Sequence, residues 1–204
     1  INRFIHLTEH ATDVAQEMKT MKAALDDPTL TIPWSELLTA ARWHDVGKAH
    51  EVFQKMLTNP LLPNNPQKFG GPWAKSDHKK GRPDRKHFRH ELASALALLL
   101  HKESDLAAYL AASHHGKVRL SIRSLPDEEV PLDGQRFARG VWEGDELPGV
   151  DLGDGITTQM LSLTLSFMEM GEGPHGPSWL ERTLRLRDDY GPFRLAWMET
   201  LVRV

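Results

Sequence analysis

The sequence has no cysteine. That absence removes disulfides and thiolate metal sites together, and it is compatible with a reducing, cytoplasmic setting. Long apolar runs are also missing: the longest, Leu92 to Leu100 around Ser94, is far too short to span a bilayer. No signal peptide is read at the start, and no membrane partner is expected. Nor is there a strong excess of either charge. With a formal net charge of −3 over 204 residues, any pull on nucleic acid must be local. Finally, there is no phosphate loop of the Gly-Lys-Ser/Thr type, so a helicase-type nucleotide site is not part of this stretch.

What is present is a composition of 40% hydrophobic and 26% charged residues, enough for one domain, 1–204, with a real core. Leu7, Ala11, Val14, Met18 and Met21 recur at alternating spacings of four and three, which predicts an amphipathic helix from about Thr8. After breaks at Pro28 and Pro33, a second helix is expected from Trp34 to Ala49, with Leu37, Leu38 and Ala41 inward. A third, about Phe88 to Lys102, is apolar on nearly all sides and should be the buried centre. A fourth runs from about Ser104 to His114 and is capped by Gly116. Helical patterns resume at about Thr157 to Met170, Ser178 to Arg187 and Phe193 to Val204. The expectation is an all-α fold, with at most a short strand or hairpin near 117–123. Because Leu201 to Val204 lie inside an apolar helical pattern without a stop signal, the chain reads as a piece of a longer polypeptide, cut in its last helix.

Residues 59–87 read as a long loop punctuated by proline and glycine. Its second half is basic: from Lys75 to His90 there are seven Lys or Arg against Asp77 and Asp84. Lys79, Lys80, Arg82, Arg85, Lys86 and Arg89, with Lys117 and Arg119 further on, are therefore candidate contacts to a phosphate backbone. A basic loop is more often simply a solvated one.

Six residues carry ligand chemistry at helix ends or on inward faces: His10, His44, Asp45, His90, His114 and His115. Imidazole and carboxylate suit borderline transition metals. A lone helical histidine is ordinarily a core or surface residue. The adjacent pair His114-His115 is more specific, although neighbours on a helix diverge by about 100° unless the backbone turns at a terminus. Asp45 is the only acid of the set and can bridge two ions, which an imidazole cannot. Two ions about 3.5–4 Å apart would activate water and clamp a phosphate. Lys48, three residues beyond Asp45, could neutralise a phosphoryl oxygen or help protonate the leaving group. His6, His50, His78, His87, His101 and His175 are given no role.

His44-Asp45 followed by Gly47-Lys48 resembles the HD phosphohydrolase superfamily. More narrowly, Leu7-Thr8-Glu9-His10, His44 to Ala49, Arg89-His90-Glu91 and Ser113 to Lys117 resemble the HD nuclease domain of the type I CRISPR-associated helicase-nuclease. The likeness is strongest over 5–119 and extends more weakly to 191–196. It implies an HD-type helical domain and metal-dependent cleavage of single-stranded DNA in antiviral defence. One or two divalent ions of Mn, Ni, Co, Fe or Zn are implied, with a helicase portion, fused or separate, and an RNA-guided surveillance complex as partners. By matching position, His10, His44 and Asp45 would hold one ion, and His90, His114 and His115 would complete a second, bridged by Asp45. Asp45 and Lys48 would be catalytic. The family pattern also gives the first ion a later aspartate, which has no match here. Asp188 or Asp189 is a weak substitute. The alternative reading is an HD enzyme acting on a nucleotide or other small phosphorylated molecule. A binding module with structural metals is a third.

Overall fold

The computed structural model describes residues 3–25, 27, 31–58, 70–77 and 81–203. Among these residues the architecture is mixed and mostly helical rather than strictly all-α: six helices, with short strands in two-stranded pairs. A two-residue strand β1 (Ile5–His6) leads directly into α1 (Leu7–Ala24), which buries Leu7, Ala11, Val14, Ala15 and Met18. The second helix, α2 (Trp34–Trp43), packs on α1 through Leu37, Ala40 and Ala41. It stops earlier than its sequence pattern suggests. His44 and Asp45 turn, and Val46–Ala49 form a 3-10 turn in which Lys48 N–H bonds Asp45 C=O at 2.8 Å. A further helix, α3 (Glu51–Thr58), follows, which the sequence pattern did not anticipate.

Strand β2 (Trp73–Lys75) lies within the expected loop and pairs antiparallel with β1. Residues 59–69 and 78–80, including Lys79 and Lys80, lie outside the described residues. The central helix is α4 (His90–Leu100), buried on nearly all sides and packed against α5 (Asp105–Ser113) and the 3-10 turn. Ser104 caps α5, its hydroxyl accepting from Ala107 N–H at 3.1 Å. Gly116, at φ +69°, ends the turn after α5, its N–H bonded to Ser113 C=O at 2.6 Å.

Two expectations are overturned. Residues 117–123 form no strand: Val118 and Ile122 are buried, whereas Leu120 between them is half exposed, so the segment does not alternate as a strand face would. Nor is 157–170 helical. Leu163, Leu165 and Phe167 are buried at every second position, a strand-like period, and the segment supplies β6 (Leu161–Ser162) and a 3-10 turn at Ser166–Met168. Strands β3 (Phe137–Ala138) and β4 (Val141–Trp142) pair with each other, and β5 (Glu146–Leu147) pairs with β6. The last pair is β7 (Glu172–Gly173) with β8 (Gly176–Pro177). This irregular part is tied to the helices by side-chain-to-backbone bonds. Arg42 Nη1 donates to Leu152 C=O at 2.7 Å, and Thr8 Oγ1 donates to Asp151 C=O at 2.7 Å.

The last two expected helices are the two halves of α6 (Trp179–Val202), separated as expected by a non-helical Gly191 (φ 75°, ψ 153°) before Pro192; Val204 lies outside the described residues. Proline there lacks the N–H that a continuous helix would use. The second half brings Val202 and Arg203 beside His10, His44, Asp45, His114 and His115. No helix among the described residues is long and apolar enough to cross a membrane.

Candidate metal centre

The centre begins with a glycine. Gly47 lies so close to α4 that an added Cβ would sit 2.1 Å from the His90 carbonyl oxygen and 2.8 Å from Ala93 Cβ. Only a residue without a side chain permits that approach. The contact is fixed by a hydrogen bond from Gly47 N–H to Ser94 Oγ at 2.8 Å. As a result, the turn carrying Asp45 and Lys48 docks against the first turn of the helix carrying His90.

Around Asp45 the structure brings together all six residues singled out from the sequence. His10 Nε2 lies 2.9 Å, His44 Nε2 3.2 Å and Lys48 Nζ 2.5 Å from Asp45 Oδ2. The other oxygen, Oδ1, faces His90 Nε2 at 3.0 Å and His114 Nε2 at 3.8 Å. Two sets of donor atoms result, His10–His44–Asp45 and His90–His114–His115, each within 4.8 Å of one another. The two sets meet at one carboxylate.

The orientation of the imidazoles is legible from their other nitrogens. His44 Nδ1 is 2.7 Å from Ala41 C=O and His114 Nδ1 is 2.6 Å from Ala111 C=O. A carbonyl only accepts, so each Nδ1 carries the hydrogen and donates it. His114 is a neutral imidazole: burial, and then the neighbouring His44 ring, push its pKa down to about 2. Its Nε2 is therefore a bare lone pair turned toward the shared carboxylate. Burial likewise lowers His90 to about 4 against the opposing pull of Asp45, and it lowers His115. Asp45 stays ionised. Burial alone would raise its pKa, but His44, Lys48 and the hydrogen bonds from His10 and His44 outweigh it and hold it well below the usual range.

These atoms fit a cation. Asp45 Oδ1, His90 Nε2 and His114 Nε2 are buried; His90 Nε2 lies 3.0 Å from Oδ1, while the bare Nε2 of His114 meets the same oxygen at 3.8 Å with no hydrogen to offer it. Acceptors facing one another in a buried site repel unless something positive lies between them. The two buried His/Asp groups could thus hold metal ions. With donors about 2.0–2.2 Å from an ion, each set would contract modestly and leave positions open for water or substrate. The backbone carbonyls of Ala41 and Ala111 supply the outer bonds that fix the ring tautomers, as ligating histidines ordinarily require.

The remaining sequence candidates are more dispersed. Arg85 is committed elsewhere, bonding Asp145 at 2.6 Å and stacking 3.9 Å over the Trp142 ring. Arg119 is bound to Glu199 at 2.7 Å and to Gly116 C=O at 3.2 Å. Arg82, Lys86 and Lys117 are exposed, and Arg89 Nε lies 3.9 Å from the buried Glu91 carboxylate. Asp188 and Asp189 are exposed away from the centre, Asp188 bonded to Arg187. Glu199 is buried, but it accepts from Tyr109 Oη at 2.6 Å and from Arg119. Among the described residues no second carboxylate joins the first set.

Two participants, Ser94 and Arg203, were given no role from the sequence, and a third, Lys75, was counted only as the start of the basic segment. Ser94 anchors Gly47, while Lys75 and Arg203 line the cleft of about 200 Å³ beside His10, His44, Asp45, Lys48, His114 and His115. A larger apolar cavity, about 590 Å³ between the 31–33 segment and α6, contains none of the metal-ligating side chains. No family model, curated protein or solved structure matches the chain.

Proposed function

We propose that the protein is a metal-dependent phosphodiesterase that hydrolyses single-stranded DNA, in keeping with the resemblance of its motifs to the CRISPR-associated HD nuclease domains. The single observation that carries the hydrolytic part of this reading is the pair of opposed acceptors. His114, whose Nδ1–H is given to Ala111 C=O, turns a bare Nε2 toward the ionised Asp45 Oδ1 at 3.8 Å, and His90 Nε2 lies 3.0 Å from the same oxygen. A buried arrangement of that kind is costly unless it serves a cation. Ions bound there would supply a hydroxide from water and neutralise charge on a phosphate oxygen.

The protein's own share is positioning. Asp45 holds its two oxygens toward the two donor sets, fixed by the Gly47 contact and by Lys48. Lys48 keeps a charged, hydrogen-bearing Nζ in the cleft, near where charge on a departing oxygen would develop. Balanced hydrolysis forms one water-oxygen-to-phosphorus bond and breaks one phosphorus-to-sugar-oxygen bond, with the water's proton ending on the departing oxygen.

The test is scission of single-stranded DNA in Mn²⁺, Ni²⁺ or Co²⁺ by the wild-type chain and by Asp45→Ala. Cleavage by the first and not the second is expected. Ion binding without scission of DNA would overturn the nuclease reading. Release of phosphate from free nucleotides, with DNA untouched, would replace it with a small-molecule phosphohydrolase.

A further inference from the structure

We propose that Lys75 and Arg203 form a two-point phosphate clamp at the mouth of the metal cleft, so that the occupant is a strand bearing phosphates on both sides of the one being attacked. This rests on the reading of the centre as a phosphodiesterase. Three cations, Lys48, Lys75 and Arg203, line the cleft against one carboxylate, Asp45. Lys48 is committed to Asp45 at 2.5 Å. Lys75 is exposed at the end of β2 and has no carboxylate partner among the described residues. A small concave site lined by one sign of charge concentrates the opposite sign within it.

The two outer cations reach the cleft from different elements. Lys75 pairs in register with Ile5, on the strand that runs straight into the helix of His10. Arg203 lies at the end of α6, its Nη2 near Gly116, directly after His115, and 3.5 Å from Glu199 Oε2. Glu199 is 4% exposed and also binds Tyr109 and Arg119, so Arg203 is anchored from behind while its side chain remains 42% exposed. One cation thus belongs to the side of the first donor set, the other to the side of the second.

Size points the same way. The cleft, at about 200 Å³, is smaller than the roughly 300–1,000 Å³ typical of pockets that enclose a whole small molecule. It accommodates a phosphodiester group while the sugars and bases stay outside. Recognition then falls to neighbouring phosphates, where a lysine and an arginine suffice.

The clamp is tested by binding, without reliance on turnover. Anisotropy of a labelled oligothymidylate is measured on the intact chain in a metal chelator, across a range of salt, with thermal midpoints recorded to confirm folding. Lys75→Ala and Arg203→Gln should each weaken binding about tenfold and flatten the log–log salt dependence by about 0.7, the value for one phosphate contact on a single strand. Arg203→Lys should restore the slope, and Lys19→Ala, remote from the cleft, should leave it unchanged. Thymidine monophosphate should compete at least tenfold more weakly than a trinucleotide. Unchanged slopes in both cleft variants, no binding by the wild type, or equal competition by the mononucleotide would each overturn the clamp. Altered slopes without metal-dependent scission would sink the hydrolytic reading and leave the clamp standing.

Discussion

The two donor sets share a carboxylate but differ in what they do without an ion. Around Oδ2 of Asp45 the contacts are already met by a cation: the Lys48 ammonium donates at 2.5 Å, with His10 Nε2 and His44 Nε2 within 3.2 Å. Around Oδ1 they are not, and the imidazoles there are held neutral by burial. The first set is thus a preformed ion pair that a metal must enter in competition with Lys48. The second contains at least one empty lone pair, on His114 Nε2, that a metal would complete. A cluster of this kind need not distribute its cost evenly. Here the anion sits where cations already exist, and the unsatisfied atoms sit where an ion is needed most.

The largest expected effect comes from removing what the sets share. Asp45→Asn should lower the metal-dependent rate by about a thousandfold, since charge stabilisation by bound metal is worth several kcal/mol. Calorimetric titration with Mn²⁺ should show both sets weakened; loss confined to one would break the idea of a common bridge. Next comes the contact that fixes the bridge. Gly47→Ala forces a Cβ into the His90 carbonyl, and should cost about 3 kcal/mol in urea unfolding, at the upper end for overpacking.

Acid should separate the sets further. His90 titrates near 4 in the folded chain and near 6.5 unfolded, so the unfolded chain takes its proton first. The stability that goes with its neutral form is therefore complete above pH 6.5 and is lost as pH falls toward about 4. The loss should be on the order of 3 kcal/mol in chelator, read from unfolding curves at stepped pH. His90→Gln should remove that component of the slope. The smallest effect is at a distance. Ser104→Ala takes away the cap of α5, whose far end presents His114, and should cost about 1 kcal/mol. Metal affinity of the second set should not change, because the bond of His114 to Ala111 lies at the other end of the helix.

Much of the centre was legible in the sequence for physical reasons that can be named. His114 and His115 are adjacent, yet both serve one set, because α5 ends at Ser113 and the backbone turns there. Helix stripes such as Leu7–Ala11–Val14–Met18 were readable because burial falls on one face. By contrast, Leu161–Leu163–Leu165–Phe167 alternates with Ser162, Thr164 and Ser166 at a period of two, but leucine and methionine abundance gave it a helical look. The 120–150 region was opaque because its order comes from single anchors. Glu128 accepts from the backbone N–H groups of Leu125 and Arg139 at 2.8 and 2.9 Å, a pattern with no periodic trace. Arg203 was hidden for another reason: four residues after Glu199, it looks like an ordinary surface pair on a helix.

The Gly47 contact has a consequence for how this chain tolerates genetic change. Position 47 is constrained by space occupied by backbone, so every replacement destabilises the fold before any chemistry is asked of the protein. Position 115 is the opposite: its side chain is exposed, and substitutions there leave the fold intact while altering the second set. In a library of random variants sorted first for abundance and then for activity, codon 47 should be depleted in the first sort and codon 115 only in the second. The order in which positions disappear would distinguish residues that build the site from residues that use it.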